Sequence, residues 1–209
     1  MSLASRSSYR HGDLRQALLA AGLEMAREGG PDAVVLREAT RRAGVSPNAA
    51  YRHFADRSEL VEAVSDAAQA LVAGAIETEW DAVPAALSAE EAAHAHLRAV
   101  GRGYLGFARD EPGLFRAAFT VPGDLELALS PEKAGPGGRT SFQLLGTALD
   151  ELVDVGALPP ERRPGAEFSA WSAVHGLAML VLEGPLRGLD REVARAAGAR
   201  LIDMVDRGL

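Results

Sequence analysis

Apolar residues recur at three- and four-residue intervals along nearly the whole chain, and strand-like alternation is almost absent. The pattern predicts an all-α protein. Its first stripe is Leu14, Leu18, Ala21 and Met25, opened by a capping pair Asp13/Gln16 and stopped by "EGGP" at 28–31. Shorter helices are expected over 35–42 and from Ser46. A long one starts at Asp56, where Asp56 and Glu59 form a second capping pair, and carries Leu60, Val64, Ala67/Ala68, Leu71 and Ala75 at helical spacing. Ser88 and Glu91 cap the next, with Leu97, Val100, Tyr104 and Phe107, and a short helix over 111–119 follows. Residues 120–138, rich in Pro and Gly, are expected to be a mobile loop. Helices near 139–155, 165–184 and 190–207 complete the chain.

The stretch "RRAGVSPNAAYRHF" (41–54) packs most local signals into the fewest residues. Gly44 can adopt the left-handed conformation that ends a helix, Ser46 can cap the next, Pro47 suits its first position, and Val45 can staple onto Ala50. Two short helices joined by so tight a turn form a helix-turn-helix, whose second helix presents its side chains to the DNA major groove. Asn48, Tyr51, Arg52 and His53 fit that use, since Asn pairs with adenine, Arg with guanine, and Tyr or His donates to phosphate. Ala49 and Ala50 keep the helix slim. An ordinary helical hairpin with solvated polar residues has the same spacing.

Composition and charge narrow the options. The chain has 209 residues, 47% hydrophobic and 24% charged, enough for one or two packed domains. It contains no cysteine, which removes disulfides, thiolate metal sites and a Cys nucleophile. No signal core and no membrane-length apolar run occurs, so a cytoplasmic location without a membrane partner is expected. The net charge of -7 is uneven: residues 1–58 carry nine Arg against six acids, and 59–209 carry 13 basic against 23 acidic residues. A basic front end on an acidic body suggests a nucleic-acid-facing segment. The 21 Arg against a single Lys, Lys133, read as coding bias.

No catalytic or metal site is expected, and no cofactor. His94 and His96 point different ways on a helix and cannot chelate together, Glu90 with His94 lacks a third partner, and a surface pair is the simpler account. "GPGGRT" (135–140) lacks the Lys of a phosphate loop and follows no strand. No G-x-S-x-G or H-E-x-x-H occurs.

From Leu14 to about Leu71 the chain resembles the DNA-binding domain of the tetracycline-repressor (TetR) family, through "ALLAAGLEMAREGG", "LREATRRAGVS", "YRHF" and "ADRSELVEAV" in order. The resemblance implies an N-terminal three-helix helix-turn-helix domain joined by a long fourth helix to a helical ligand-binding and dimerisation domain. Mapped by position, it implies boundaries at 11–71, with the helix-turn-helix motif about 35–54, and 72–209. It implies DNA contacts from Arg37, Ser46, Pro47, Asn48, Ala49, Tyr51, Arg52 and His53, with Tyr51 on phosphate and Arg57 where the family commonly places a backbone-contacting Lys. Val34 and Val35 replace the usual Ser or Thr, so that contact is not assigned, and Ala39 and Thr40 replace a bulky-then-Ala pair.

The C-terminal half, through "EPGLFRAAF" and "WSAVHGLAMLVLEG", resembles the regulatory domain named for a Trp-His-Gly motif, here Trp171, His175 and Gly176. Helix 165–184 is apolar on two sides, so one can pack the core while the other, near Ala170, Ala173 and Ala178, meets a second copy together with 190–207. A homodimer through those helices is expected. The resemblance implies a repressor of double-stranded operator DNA, released by a small-molecule effector in a pocket among the fourth helix, 88–109, 111–119, 139–155 and 165–184. Candidate lining residues are Leu97, Tyr104, Phe107, Phe115, Phe119, Phe142, Leu145, Trp171 and His175. The alternative is a helical small-molecule-binding or metal-dependent enzyme in which 13–58 merely packs.

Overall fold

The structure, a computed structural model, describes residues 11–119, 121 and 125–209. Those residues form nine α-helices and no strand: α1 (His11–Gly29), α2 (Leu36–Arg42), α3 (Pro47–Ala50), α4 (Arg57–Asp81), α5 (Ala89–Asp110), α6 (Pro112–Ala118), α7 (Ser141–Asp154), α8 (Ala166–Leu182) and α9 (Arg191–Gly208). Much of the expected capping chemistry is present. Ser88 and Glu91 exchange both bonds of a capping box, and so do Thr140 and Gln143. Asp56 accepts from the Glu59 amide, while the Glu59 carboxylate takes the amide of Ala55. Asp13 lies inside α1, which already includes His11, so it does not sit at the cap. The N-terminal basic residues Arg6 and Arg10 lie outside the described residues.

Two apolar cores organise the chain. Leu18, Met25, Val34, Phe54, Leu60, Val64 and Leu114 lock α1, α2 and the end of the α3 turn onto the first turns of α4. Val72, Ile76, Leu97, Tyr104, Phe115, Leu144, Leu149 and Val174 form the second, where α4 and α5 pack against α7 and α8. Each of these large side chains contributes about 1.5–3 kcal/mol when fully withdrawn from water. Because α4 changes neighbours midway, its buried face rotates. Beyond Ala68 the inward positions are Val72, Ala73, Ile76 and Glu77; Leu71 is exposed and Ala75 only half-buried, unlike the straight stripe expected.

Helix α6 joins the two cores. Leu114 and Ala117 belong to the first, and Phe115 and Ala118 to the second. It lies so close to α1 that a Cβ on Gly113 would stand 2.3 Å from the Ala26 carbonyl oxygen. Its last carbonyl, Ala118 O, accepts from both Ser65 Oγ and Gln69 Nε2 on α4, each at 2.9 Å.

The expectation of a mobile loop over 120–138 fails across 125–138, while residues 120 and 122–124 lie outside the described residues. Short 3-10 turns form at Leu125–Leu129 and Pro131–Lys133. The buried carboxylate of Glu77 accepts the Gly137 amide at 3.0 and 3.2 Å, and Pro136 Cδ would stand 3.2 Å from a Cβ on Gly74. The segment is a strap on α4. Proline-glycine composition signalled irregular backbone, which is correct, but Glu77 gives that backbone a partner 60 residues away in sequence.

Candidate DNA-facing helix pair and internal cavity

The turn between α2 and α3 is built as its residues dictate. Gly44 has φ 67°, the Val45 amide reaches back to Thr40 O at 3.0 Å and the Gly44 amide to Arg41 O at 3.3 Å, the two bonds of a Schellman motif. Ser46 stands at the N-cap with extended backbone and makes no side-chain cap bond; Pro47 opens α3. Ala50 and Phe54 are fully buried and pin this short helix from beneath. What remains outside is polar. Ser46, Pro47, Asn48 and Arg52 are exposed, Ala49 and His53 half-buried, and Tyr51 is 58% exposed, an unusual placement for so large a ring.

Not every basic residue nearby is available. Arg41 forms a bidentate pair with Glu38, and Arg42 bridges Glu38 and Glu28. These bonds hold the Glu38 carboxyl down to about 2, so the acids cancel charge on the outer side of α2. Arg37 is exposed on the same helix. Arg57 donates through Nε to Val34 O at 2.8 Å and through Nη2 to Pro31 O at 3.0 Å, tying the start of α4 to the turn before α2. At the departures from the family pattern, Ala39 is fully buried and Thr40 turns its hydroxyl to Arg37 O.

The second feature is a cavity of about 70 Å³ within the second core. Six of the nine expected residues line it: Leu97, Tyr104, Phe119, Phe142, Leu145 and Trp171. Three do not. Phe115 is fully buried behind Tyr104 and Phe119, Phe107 faces a separate surface groove beside α9, and His175 is held off the wall. The reason for His175 is a hydrogen-bonded hub: Trp171 Nε1 donates to the Tyr104 hydroxyl at 3.2 Å, and that hydroxyl lies 2.7 Å from His175 Nδ1. A hydroxyl that accepts from Trp171 is free to donate to Nδ1, which places the histidine proton on Nε2. Burial lowers the His175 pKa and raises that of Tyr104, so both stay neutral near pH 7.

Periodicity did not point to several wall residues. Gln69 and Ile76 come from α4, Ala128 and Lys133 from the strap, Thr140 and Ser141 from the start of α7, and Ile202 and Val205 from α9. The cavity therefore touches five helices and the strap.

The paired His94 and His96 are not a surface pair. His94 Nδ1 lies 2.6 Å from the buried Asp206 carboxylate, whereas His96 Nδ1 lies 2.6 Å from Glu151 and its ring stacks on Trp80 at 4.0 Å. The two rings serve different carboxylates, as their two-residue separation requires. No group of three or more potential metal ligands clusters among the described residues.

On the outer side of α8 and α9 an apolar groove is lined by Ala173, Gly176, Leu180, Val193, Ala197 and Met204. Leu180 is 43%, Val193 53% and Met204 61% exposed. Ala170 and Ala178, expected near a second copy, are instead buried in the monomer core. No helix among the described residues is long and apolar enough to cross a membrane.

A helix-turn-helix seated on a long helix that also walls an internal cavity is the arrangement of a DNA-binding regulator. Residues 18–64 match the family described as bacterial regulatory proteins, tetR family, and residues 97–205 match the tetracyclin repressor-like C-terminal domain. No curated protein matches the chain. Among solved structures it is similar to a protein from Rhodococcus sp. RHA1, described as of unknown function, at 27% identity over 98% of this chain and 99% of that one, with a TM-score of 0.70. A TetR-family transcriptional regulator from Pectobacterium atrosepticum shares the fold at 18% identity, with 98% and 97% coverage and a TM-score of 0.59. The regulator PfmR from Thermus thermophilus does so at 17%, with 92% and 98% coverage and a TM-score of 0.54. The chain belongs to the TetR family of DNA-binding transcriptional regulators.

Proposed function

We propose that this regulator is a cytoplasmic homodimeric repressor, which grips a palindromic operator through α3 and lets go when a small molecule fills the cavity. The observation that carries the proposal is the continuity of α4. One helix of 25 residues, about 37 Å long at 1.5 Å per residue, holds the helix-turn-helix with Leu60 and Val64 and walls the cavity with Gln69 and Ile76. A change at the cavity therefore has a rigid route to the DNA-facing helices, and α6 supplies a second through its seat on α1.

In this proposal Asn48 and Arg52 read base edges, while Ser46, Tyr51 and Arg37 contact the backbone beside Pro47, Ala49 and His53. Arg57 keeps both Nη1 protons and one on Nη2 for phosphate, because Nε and the other Nη2 proton hold Val34 and Pro31. The outer faces of α8 and α9 form the dimer contact, supported by the exposed apolar groove there. Trp171 and His175, joined through Tyr104, support assignment of the C-terminal half to the Trp-His-Gly type. The functional division, 11–71 for DNA and 72–209 for sensing and dimerisation, then falls inside α4, and no catalysis is involved.

The test is fluorescence anisotropy with DNA from upstream of the protein's own gene. Binding that weakens steeply with salt and maps to an inverted repeat is expected. An effector should weaken it about 5- to 150-fold without splitting the dimer, and operator DNA should weaken effector binding by the same factor. Salt-independent binding, or equal effector affinity with and without DNA, would refute the proposal.

A further inference from the structure

Among the described residues that wall the cavity one is charged, Lys133, the only lysine among the chain's 22 basic residues. Its side chain is 12% exposed, so most of it lies inside the protein. A cation so placed needs a counter-charge close by. Its ion-pair partner, Asp66, lies 3.6 Å away, longer than the roughly 2.7–2.9 Å of a charge-assisted bond, and is not part of the wall. Two other acids of this region are committed: Glu77 to the Gly137 amide and Glu132 to the Ser130 hydroxyl. Burial holds the Asp66 pKa above the usual carboxylate value, against the opposing pull of Lys133.

The rest of the wall sorts by polarity. Gln69, Thr140 and Ser141 are the remaining polar residues contributed by α4 and by the start of α7, and the balance is mainly apolar, including Leu97, Leu145 and Trp171. We propose that the cavity takes a small, largely apolar carboxylic acid, its hydrocarbon part among the apolar side chains and its carboxylate on Lys133. This inference rests on the cavity being the effector site. Lys133 ends the 3-10 turn of a strap that Glu77 fastens to α4, so a carboxylate there pulls directly on the helix that carries the DNA-facing turn. An amine ligand would meet like charge, and a neutral one would leave the ammonium as it is.

Isothermal titration of the full chain with phenylacetate, phenylacetamide and phenethylamine tests the proposal. Phenylacetate should bind on the order of tenfold tighter than its amide, the scale of a hydrogen bond to a charged group, and phenethylamine more weakly than either. Lys133→Met should abolish the preference, bringing acid and amide to within about twofold of each other. Asp66→Asn, which removes the competing carboxylate, should increase the preference and serves if Lys133→Met does not melt cooperatively. Equal or tighter amide binding, survival of the preference in Lys133→Met, an unchanged or smaller preference in Asp66→Asn, or no phenylacetate binding at millimolar concentration would overturn it. Anisotropy on operator DNA separates the two proposals. Acid binding without operator release refutes the repressor switch alone, and release by neutral compounds only refutes the acid site alone.

Discussion

Substituting Gly113 by alanine tests the seat of α6 on α1. The added Cβ would stand 2.3 Å from Ala26 O, 2.6 Å from Arg27 O and 3.0 Å from Arg27 C, all backbone atoms that no rotamer change can move. Ordinary contact begins near 3.4 Å, so α6 must retreat by about 1 Å. A gap of that size forfeits roughly a quarter to a half of the dispersion between facing atoms, here those of Leu114 and Ala117 against the first core. Overpacking of this kind costs about 1–3 kcal/mol, which lowers the melting temperature by about 2–12 °C in a chain of this length. Gly106→Ala is the control, because its Cβ meets only Arg109 Nη2 at 3.8 Å and alanine adds helix propensity. Circular dichroism melts of the two variants give the stability difference. If α6 also transmits the signal, effector should weaken operator binding less in Gly113→Ala than in wild type. A Gly113→Ala protein that melts with Gly106→Ala and keeps full effector response would refute both the packing and the route.

Tyr104→Phe should cost about 1–3 kcal/mol, because Trp171 Nε1 and His175 Nδ1 lose their shared partner, and melts monitored by tryptophan fluorescence would register it. Since burial lowers the His175 pKa, the unfolded chain binds more protons than the folded one between that lowered value and about 6.5. Its stabilising contribution is complete above about 6.5 and is lost as pH falls through the window, so His175→Gln should flatten the melting temperature there relative to wild type. Met204→Glu with Leu180→Glu should yield monomers in sedimentation and lose operator affinity, whereas an unchanged dimer would move the interface elsewhere. Asn48→Ala should alter base preference at one half-site position while Arg57→Ala weakens all sequences alike; selection from a randomised operator distinguishes them.

The sequence alone determined what short-range chemistry controls. Helix spacing, the Ser88–Glu91 box, the Gly44 turn and the Pro47 start depend on residues within five positions of each other, so the helix-turn-helix and the outward polar set of α3 were readable before any packing was known. Periodicity also marked which faces are apolar. It carried no information on which partner each face meets. Leu71 turned outward because α4 exchanges α1 for α5 and α7 along its length, and Ala170 and Ala178 went to the monomer core because their side of α8 packs against α5 and α7. The cavity is the clearest case. Lys133 meets Asp66 across 67 positions, the Tyr104 hydroxyl joins Trp171 and His175 across about 70, and Glu77 orders a glycine-rich strap that composition alone marks as loose. Only tertiary structure decides such contacts, because closing a long loop is repaid by the whole set of buried groups together and not by any property of the residue itself.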